Sequence, residues 1–180
     1  PTTEAVQATE NTATAYNVAV ASTGTVHATD TVSGNIMLSL TNNDTFDYGC
    51  TTVAVSRDAA LAGAPAVDFG TNTANNLKVM AKVFSVTTAN ANATGNVDYT
   101  FYFTEAEIAA WEAATGNVRA DLKVIKLGET NYSTATLGSF GTDVTLTASS
   151  TTGAAGDYYF GATLNPLISF DSATGTIAEN

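Results

Sequence analysis

Only one stretch of this chain carries a full set of helix signals, and that leaves the rest to strands and turns. Residues 103–116 read Phe-Thr-Glu-Ala-Glu-Ile-Ala-Ala-Trp-Glu-Ala-Ala-Thr-Gly. Thr104 can act as N-cap with Glu107 three residues on, Glu105 and Glu107 sit where the positive end of the helix dipole favours carboxylates, and Gly116 supplies a stop. Ile108 and Trp111 share one apolar face. The pattern predicts one short α-helix over about 104–115.

Elsewhere, apolar and polar residues alternate over short runs closed by turn formers. The stretches 16–21, 35–41 and 50–56 alternate in this way, with Asn42-Asn43-Asp44 as a turn and 58–68 as an Ala-, Gly- and Pro-containing loop. The run 77–86 is apolar on both faces, as expected of an inner strand. Beyond the low-complexity loop 89–96, strands are predicted at 97–103, 122–127, 144–148 and 157–164, with a further one at 167–170. About eight to ten short strands with one crossover helix specify an all-β fold, an antiparallel Greek-key-like β-sandwich. The first fifteen residues have almost no large apolar side chain, so 1–15 reads as a tail or donor segment, 16–165 as the sandwich and 166–180 as a C-terminal strand or tail.

Six Lys and Arg face seventeen Asp and Glu, a formal charge of -11, so nucleic acid and anionic membrane are poor partners for want of a basic patch. Apolar runs are too short to insert into a membrane. Lysine poverty with abundant Thr, Ala, Asn, Gly and Ser points to an exported, extracellular or cell-surface protein. The chain opens on Pro1 without a signal pattern, which predicts a processed mature chain or a piece of a longer one. Cys50 stands alone, so no intrachain disulfide is available and the thiol is expected as a small buried hydrophobe.

The aromatic run Tyr-Thr-Phe-Tyr-Phe-Thr at 99–104, the helix after it, and Asp-Leu-Lys-Val-Ile-Lys at 121–126 resemble a module of large secreted surface proteins of Bacteroidota, the gliding-adhesin and type IX secretion group. Asp-Tyr-Gly-Cys-Thr-Thr-Val-Ala-Val-Ser at 47–56 resembles its early part, and the likeness covers roughly 35–162. It implies an extracellular β-sandwich passenger or spacer domain and no particular activity. No Lys or Arg follows Gly161, unlike the C-terminal sorting domain of full-length members. Asp30-Thr31-Val32 and Asp171-Ser172-Ala173 resemble that group's O-glycosylation pattern, which would modify Thr31 and Ser172. Asn43, Asn92 and Asn131 head N-glycosylation triplets, a weaker signal in a bacterium.

No catalytic constellation stands out, and the chain is not expected to be an enzyme. Glu105, Glu107 and Glu112 could form an acid and base pair for glycoside hydrolysis, but their places in a capped helix explain them. Asn43, Asp44 and Asp47, with Asn42, are weak calcium ligands without the expected loop spacing, and no cofactor is implied. His27 is the only histidine, which leaves no multi-imidazole zinc site. Trp111, Tyr158 and Tyr159 could form a stacking platform for surface glycans, though Trp111 also suits the core. Lys78, Lys82, Lys123 and Lys126 could each supply an isopeptide amine, with no acyl partner identifiable.

These features predict a structural subunit of an extracellular filament or adhesin stalk that self-associates head to tail by strand complementation. Val6, Tyr16, Val18 and Val20 of the N-terminal stretch are the first donor candidates, with Leu167 and Ile168 near the C-terminus the second. The alternative is a carbohydrate-binding or accessory module of a secreted multidomain protein.

Overall fold

A computed structural model describes residues 5–8, 16–57, 64–69, 73–128, 133–162, 168–171 and 176–179. The strands are β1 (Tyr16–Val20), β2 (Gly24–Thr29), β3 (Ile36–Asn42), β4 (Gly49–Arg57), β5 (Ala66–Val67), β6 (Val79–Met80), β7 (Lys82–Thr88) and β8 (Val97–Phe103). After helix α1 (Glu105–Thr115) come β9 (Lys123–Lys126), β10 (Ser133–Thr134), β11 (Thr136–Phe140), β12 (Asp143–Ser150), β13 (Gly156–Gly161), β14 (Ile168–Asp171) and β15 (Thr176–Glu179). One sheet has six strands in the order β1-β4-β7-β13-β9-β10, the other five in the order β11-β12-β8-β3-β2. The strands within each sheet pair antiparallel, so the predicted all-β sandwich is the observed fold. The chain passes repeatedly between sheets: β3 and β8 pair in one, while β4 and β7 between them in sequence pair in the other.

Period-two alternation decides which side chains meet between the sheets. Val53 and Val55 of β4, Phe84 and Val86 of β7 and Tyr158 and Phe160 of β13 face Leu38, Leu40, Tyr99, Phe101, Phe103 and Leu146 of the opposite sheet. Phe84 contacts Phe101, Phe103 and Phe160 edge to face, with centroids 5.2, 5.6 and 5.7 Å apart, the geometry that aromatic quadrupoles favour. Tyr99 and Tyr158 take their polar ends into this core. Tyr158 donates to the Tyr99 hydroxyl at 2.7 Å and Tyr99 donates to the Ala154 carbonyl at 2.8 Å.

The helix forms as its caps dictate. Thr104 and Glu107 make a reciprocal capping box, and Gly116 closes the other end in the left-handed conformation at φ 74°. Ile108 and Trp111 are fully buried, and Trp111 Nε1 donates to the Lys78 carbonyl at 3.3 Å. The 77–86 run keeps its predicted faces but not its single strand. A bend at Ala81 separates β6, which pairs with β5, from β7, which lies between β4 and β13. Met80, Phe84 and Val86 join the main core, whereas Val79 and Ala81 join a smaller cluster on the outside of the six-stranded sheet.

Candidate functional site

Two places draw residues singled out by sequence into specific geometry: the N-terminal edge and a groove on the outer face of the six-stranded sheet.

At the edge, Tyr16 to Val20 pair with Val53 to Gly49 of β4, so β1 completes the six-stranded sheet. Val20 is 1% exposed and Val6 5% exposed. Val6 forms a parallel bridge with Ile36, in which Gln7 N donates to the Ile36 carbonyl at 2.8 Å and Ile36 N to the Ala5 carbonyl at 2.9 Å. Ile36 already pairs with Thr29 on its β2 side, so Val6 takes the other side, just past the point where β8 leaves β3 at the pair of Leu38 with Phe101. The N-terminal segment thus adds main chain to both sheets of its own chain. It joins the rest of the fold through the turn 21–23, where Thr23 has φ 43°, a left-handed conformation that is a genuine outlier for a β-branched residue. At the other terminus β14 and β15 pair with one another, Ile168 opposite Glu179, while Leu167 lies outside the described residues.

The groove has a volume of about 420 Å³ and runs over the outward side chains of β4, β7 and β13, walled by the β5 and β6 pair. Strand alternation sends Tyr158 into the core and Tyr159 outward, where its ring lies 5.7 Å from Phe69 at an angle of 59°. Register places Asp157 beside Ser85, whose hydroxyl donates to Asp157 Oδ1 at 2.6 Å. Ser56 lies opposite Val83 on the neighbouring row and lines the same hollow. At the rim Asp68 pairs with Lys78 at 3.5 Å.

The glycan platform of Trp111, Tyr158 and Tyr159 is therefore corrected to Tyr159 alone, since Trp111 is 0% and Tyr158 2% exposed. Cys50 is also corrected: it is exposed, because Thr51, Val53 and Val55 take the inward positions of β4 and leave Cys50 outward. The calcium candidates spend their polar groups on turns. Asp44 accepts from Phe46 N at 2.7 Å and Asn96 N at 2.9 Å, Asp47 from Gly49 N at 2.8 Å, and Asn43 donates to Asp98 at 2.8 Å. Asp44 also helps burial raise the Tyr48 phenol above its ordinary pKa. Thr31 is exposed in a turn that buried Asp30 caps by accepting from Ser33 N at 2.6 Å; Ser172 lies outside the described residues.

The helix carboxylates are held by cations. Arg119 donates to both oxygens of Glu105 at 2.7 Å and to Glu112 Oε2 at 2.7 Å, and these bonds hold both carboxyls below the usual glutamate range and the guanidinium above its own. Glu107 Oε2 lies 3.2 Å from the ammonium of Lys82, which is 1% exposed, donates to the Tyr102 carbonyl at 2.8 Å and sits 5.2 and 5.0 Å from the ring centres of Phe84 and Phe103. Of the remaining isopeptide candidates, Lys123 is half-buried on β9 and Lys126 donates to the Thr152 carbonyl and hydroxyl at 3.1 and 3.0 Å. His27 Nδ1 lies 2.7 Å from the Ser39 hydroxyl, itself 2.9 Å from the Tyr102 hydroxyl, across β2, β3 and β8 of the five-stranded sheet.

No family model, curated protein or solved structure matches the chain. Phe69 and Asp157 were not singled out from sequence. Only the strand alternation at 157–160 could have flagged Asp157, as an outward neighbour of Tyr159.

Proposed function

We propose that this chain is the structural subunit of an extracellular filament or adhesin stalk at the cell surface. It polymerises head to tail, with the N-terminal segment through Val20 passing to the next copy and making there the pairings it makes in its own chain.

The observation that carries this reading is the strained turn at Thr23, the connection between the N-terminal segment with its buried Val6 and Val20 and the rest of the sandwich. A bulky residue held at positive φ costs on the order of 1–3 kcal/mol, and opening the turn removes that cost. The same main-chain bonds and the same burial are recovered in a neighbour, so exchange is nearly isoenergetic apart from the released strain. Burying Val6 and Val20 contributes roughly 3–6 kcal/mol in either arrangement. A head-to-tail exchange does not close and so extends into a fibre.

The sheet edges support the same reading. β1 is Tyr-Asn-Val-Ala-Val and β11 is Thr-Leu-Gly-Ser-Phe, both without charge or proline. Edges that stay solitary are commonly protected by Lys, Pro or bulges. The composition and the Bacteroidota-like helix region support the surface location.

The test is complementation in trans. A chain lacking residues 1–20 should lose filaments in electron micrographs and melt at lower temperature, and a synthetic peptide of residues 1–20 should restore the melt. Unchanged filaments from the shortened chain would contradict the proposal.

A further inference from the structure

We propose that the groove on the outer face of the six-stranded sheet binds a neutral pyranose unit of a glycan. Its floor and walls carry the three groups such a ring needs. Tyr159 and Phe69 offer aromatic faces, tilted rather than parallel, to an apolar face of C–H groups. Val67 and Val79 form a buried apolar wall beside them. Ser56, Ser85 and Asp157 supply the polar edge.

The polar edge is poised for an outside partner. Asp157 takes one hydrogen bond, on Oδ1 from Ser85, and among the described residues neither its Oδ2 nor the Ser56 hydroxyl has a partner. Register sets their spacing. Ser85 and Asp157 stand in one cross-strand row and Ser56 and Val83 in the next, on strands spaced about 4.8 Å apart, with Tyr159 two residues on from Asp157 along β13. A ring seated on Tyr159 therefore reaches Asp157, two residues away on the same strand, with one hydroxyl, while Ser56, on the far side of β7, lies towards the next unit of the glycan. The volume of about 420 Å³ lies within the common range of ligand pockets, roughly 300–1,000 Å³.

Charge selects the class. Asp157 and Asp68 line the groove, Lys78 at the rim is engaged by Asp68, and the whole chain carries -11, so phosphorylated, sulfated or uronic ligands are repelled. A cationic ligand is the rival. The donated bond from Ser85 already satisfies part of Asp157, and the hydroxyl of Ser56 offers a donor that a cation cannot use. Both features favour hydroxyl groups over an ammonium.

The inference does not depend on polymerisation, and ligand-observed saturation-transfer NMR tests it on filament or monomer alike. The probes are the methyl glycosides of glucose, galactose, mannose and N-acetylglucosamine, with tetramethylammonium as the cationic rival. At least one glycoside should receive saturation through its C–H face, with Kd on the order of millimolar. Tyr159→Leu and Asp157→Asn should each weaken it about tenfold or more, a loss of about 1.4 kcal/mol, while Val32→Ser, in the exposed turn that follows β2, leaves it unchanged. Should Tyr159→Leu fail to fold, Phe69→Leu replaces it. Saturation of tetramethylammonium alone, of no glycoside, or of a glycoside equally in all variants would overturn the proposal.

Discussion

Lys82 is the residue on which the interior depends most visibly. A cation 1% exposed is tolerable because a carboxylate, a carbonyl and two aromatic faces surround it. Lys82→Ala leaves Glu107 without that cation and opens a hole between Phe84 and Phe103, so chemical denaturation should register a loss of about 3 kcal/mol or more. The double variant Lys82→Met with Glu107→Gln should recover a large part of that loss, and equal losses in both would argue that the charges matter little. Arg119 makes a prediction in pH. Glu105 and Glu112 titrate below their ordinary value of 4.5 because Arg119 hydrogen-bonds them. A depressed carboxyl stabilises the fold fully above its unfolded pKa and loses that contribution as pH falls through the folded one. Arg119→Gln should therefore be less stable than the parent at about pH 6, with the difference closing as the pH is lowered below 4.5 in thermal melts. A difference independent of pH would mean that Arg119 acts only through packing. Thr23→Gly tests the strained turn. Glycine tolerates the left-handed conformation, so the variant should be a more stable closed monomer, by about 1 kcal/mol, and should form fewer filaments.

Elements differed in how far the sequence announced them, and burial explains the difference. Helix α1 was legible almost to the residue because its signals are local: a capping box, an apolar pair and a left-handed glycine. Strands β4, β7, β8, β12 and β13 were legible because each buries one face. Strands β2 and β11 gave little signal. β2 buries only Ala28, and β11 leaves Leu137 41% exposed, so an edge strand that buries little carries little hydrophobic pattern. The break at Ala81 was hidden because the alternation of faces runs through it unchanged and only the pairing partner switches. Of the candidate sites, Tyr159 was named with the wrong companions, and it is half-buried against the outer apolar cluster. Adjacent strand residues face opposite ways, so Tyr158 and Tyr159 could not share a platform, and Phe69 arrives from a distant segment that no local period marks. The buried bridge of Val6 to Ile36 rests on two main-chain bonds, which side-chain patterns do not encode.

On the scale of the whole molecule, the sandwich is complete when the N-terminal segment fills one edge and one notch, and in the proposed filament a neighbour's segment fills them. Register supplies a direct test. Ala19 of β1 lies opposite Cys50 of β4, and both are exposed. Opposed residues on antiparallel strands have Cα atoms roughly 4.5–5.5 Å apart, within the range a disulfide spans. Ala19→Cys thus places a second thiol against the native one, whichever chain supplies it. Native material carrying this substitution would be oxidised and run on a denaturing gel without reductant. Strand exchange between copies predicts a ladder of covalent multimers that collapses to monomer on reduction and is absent from the parent chain. A single internally bridged monomer band would contradict it, because β1 would then pair within its own chain.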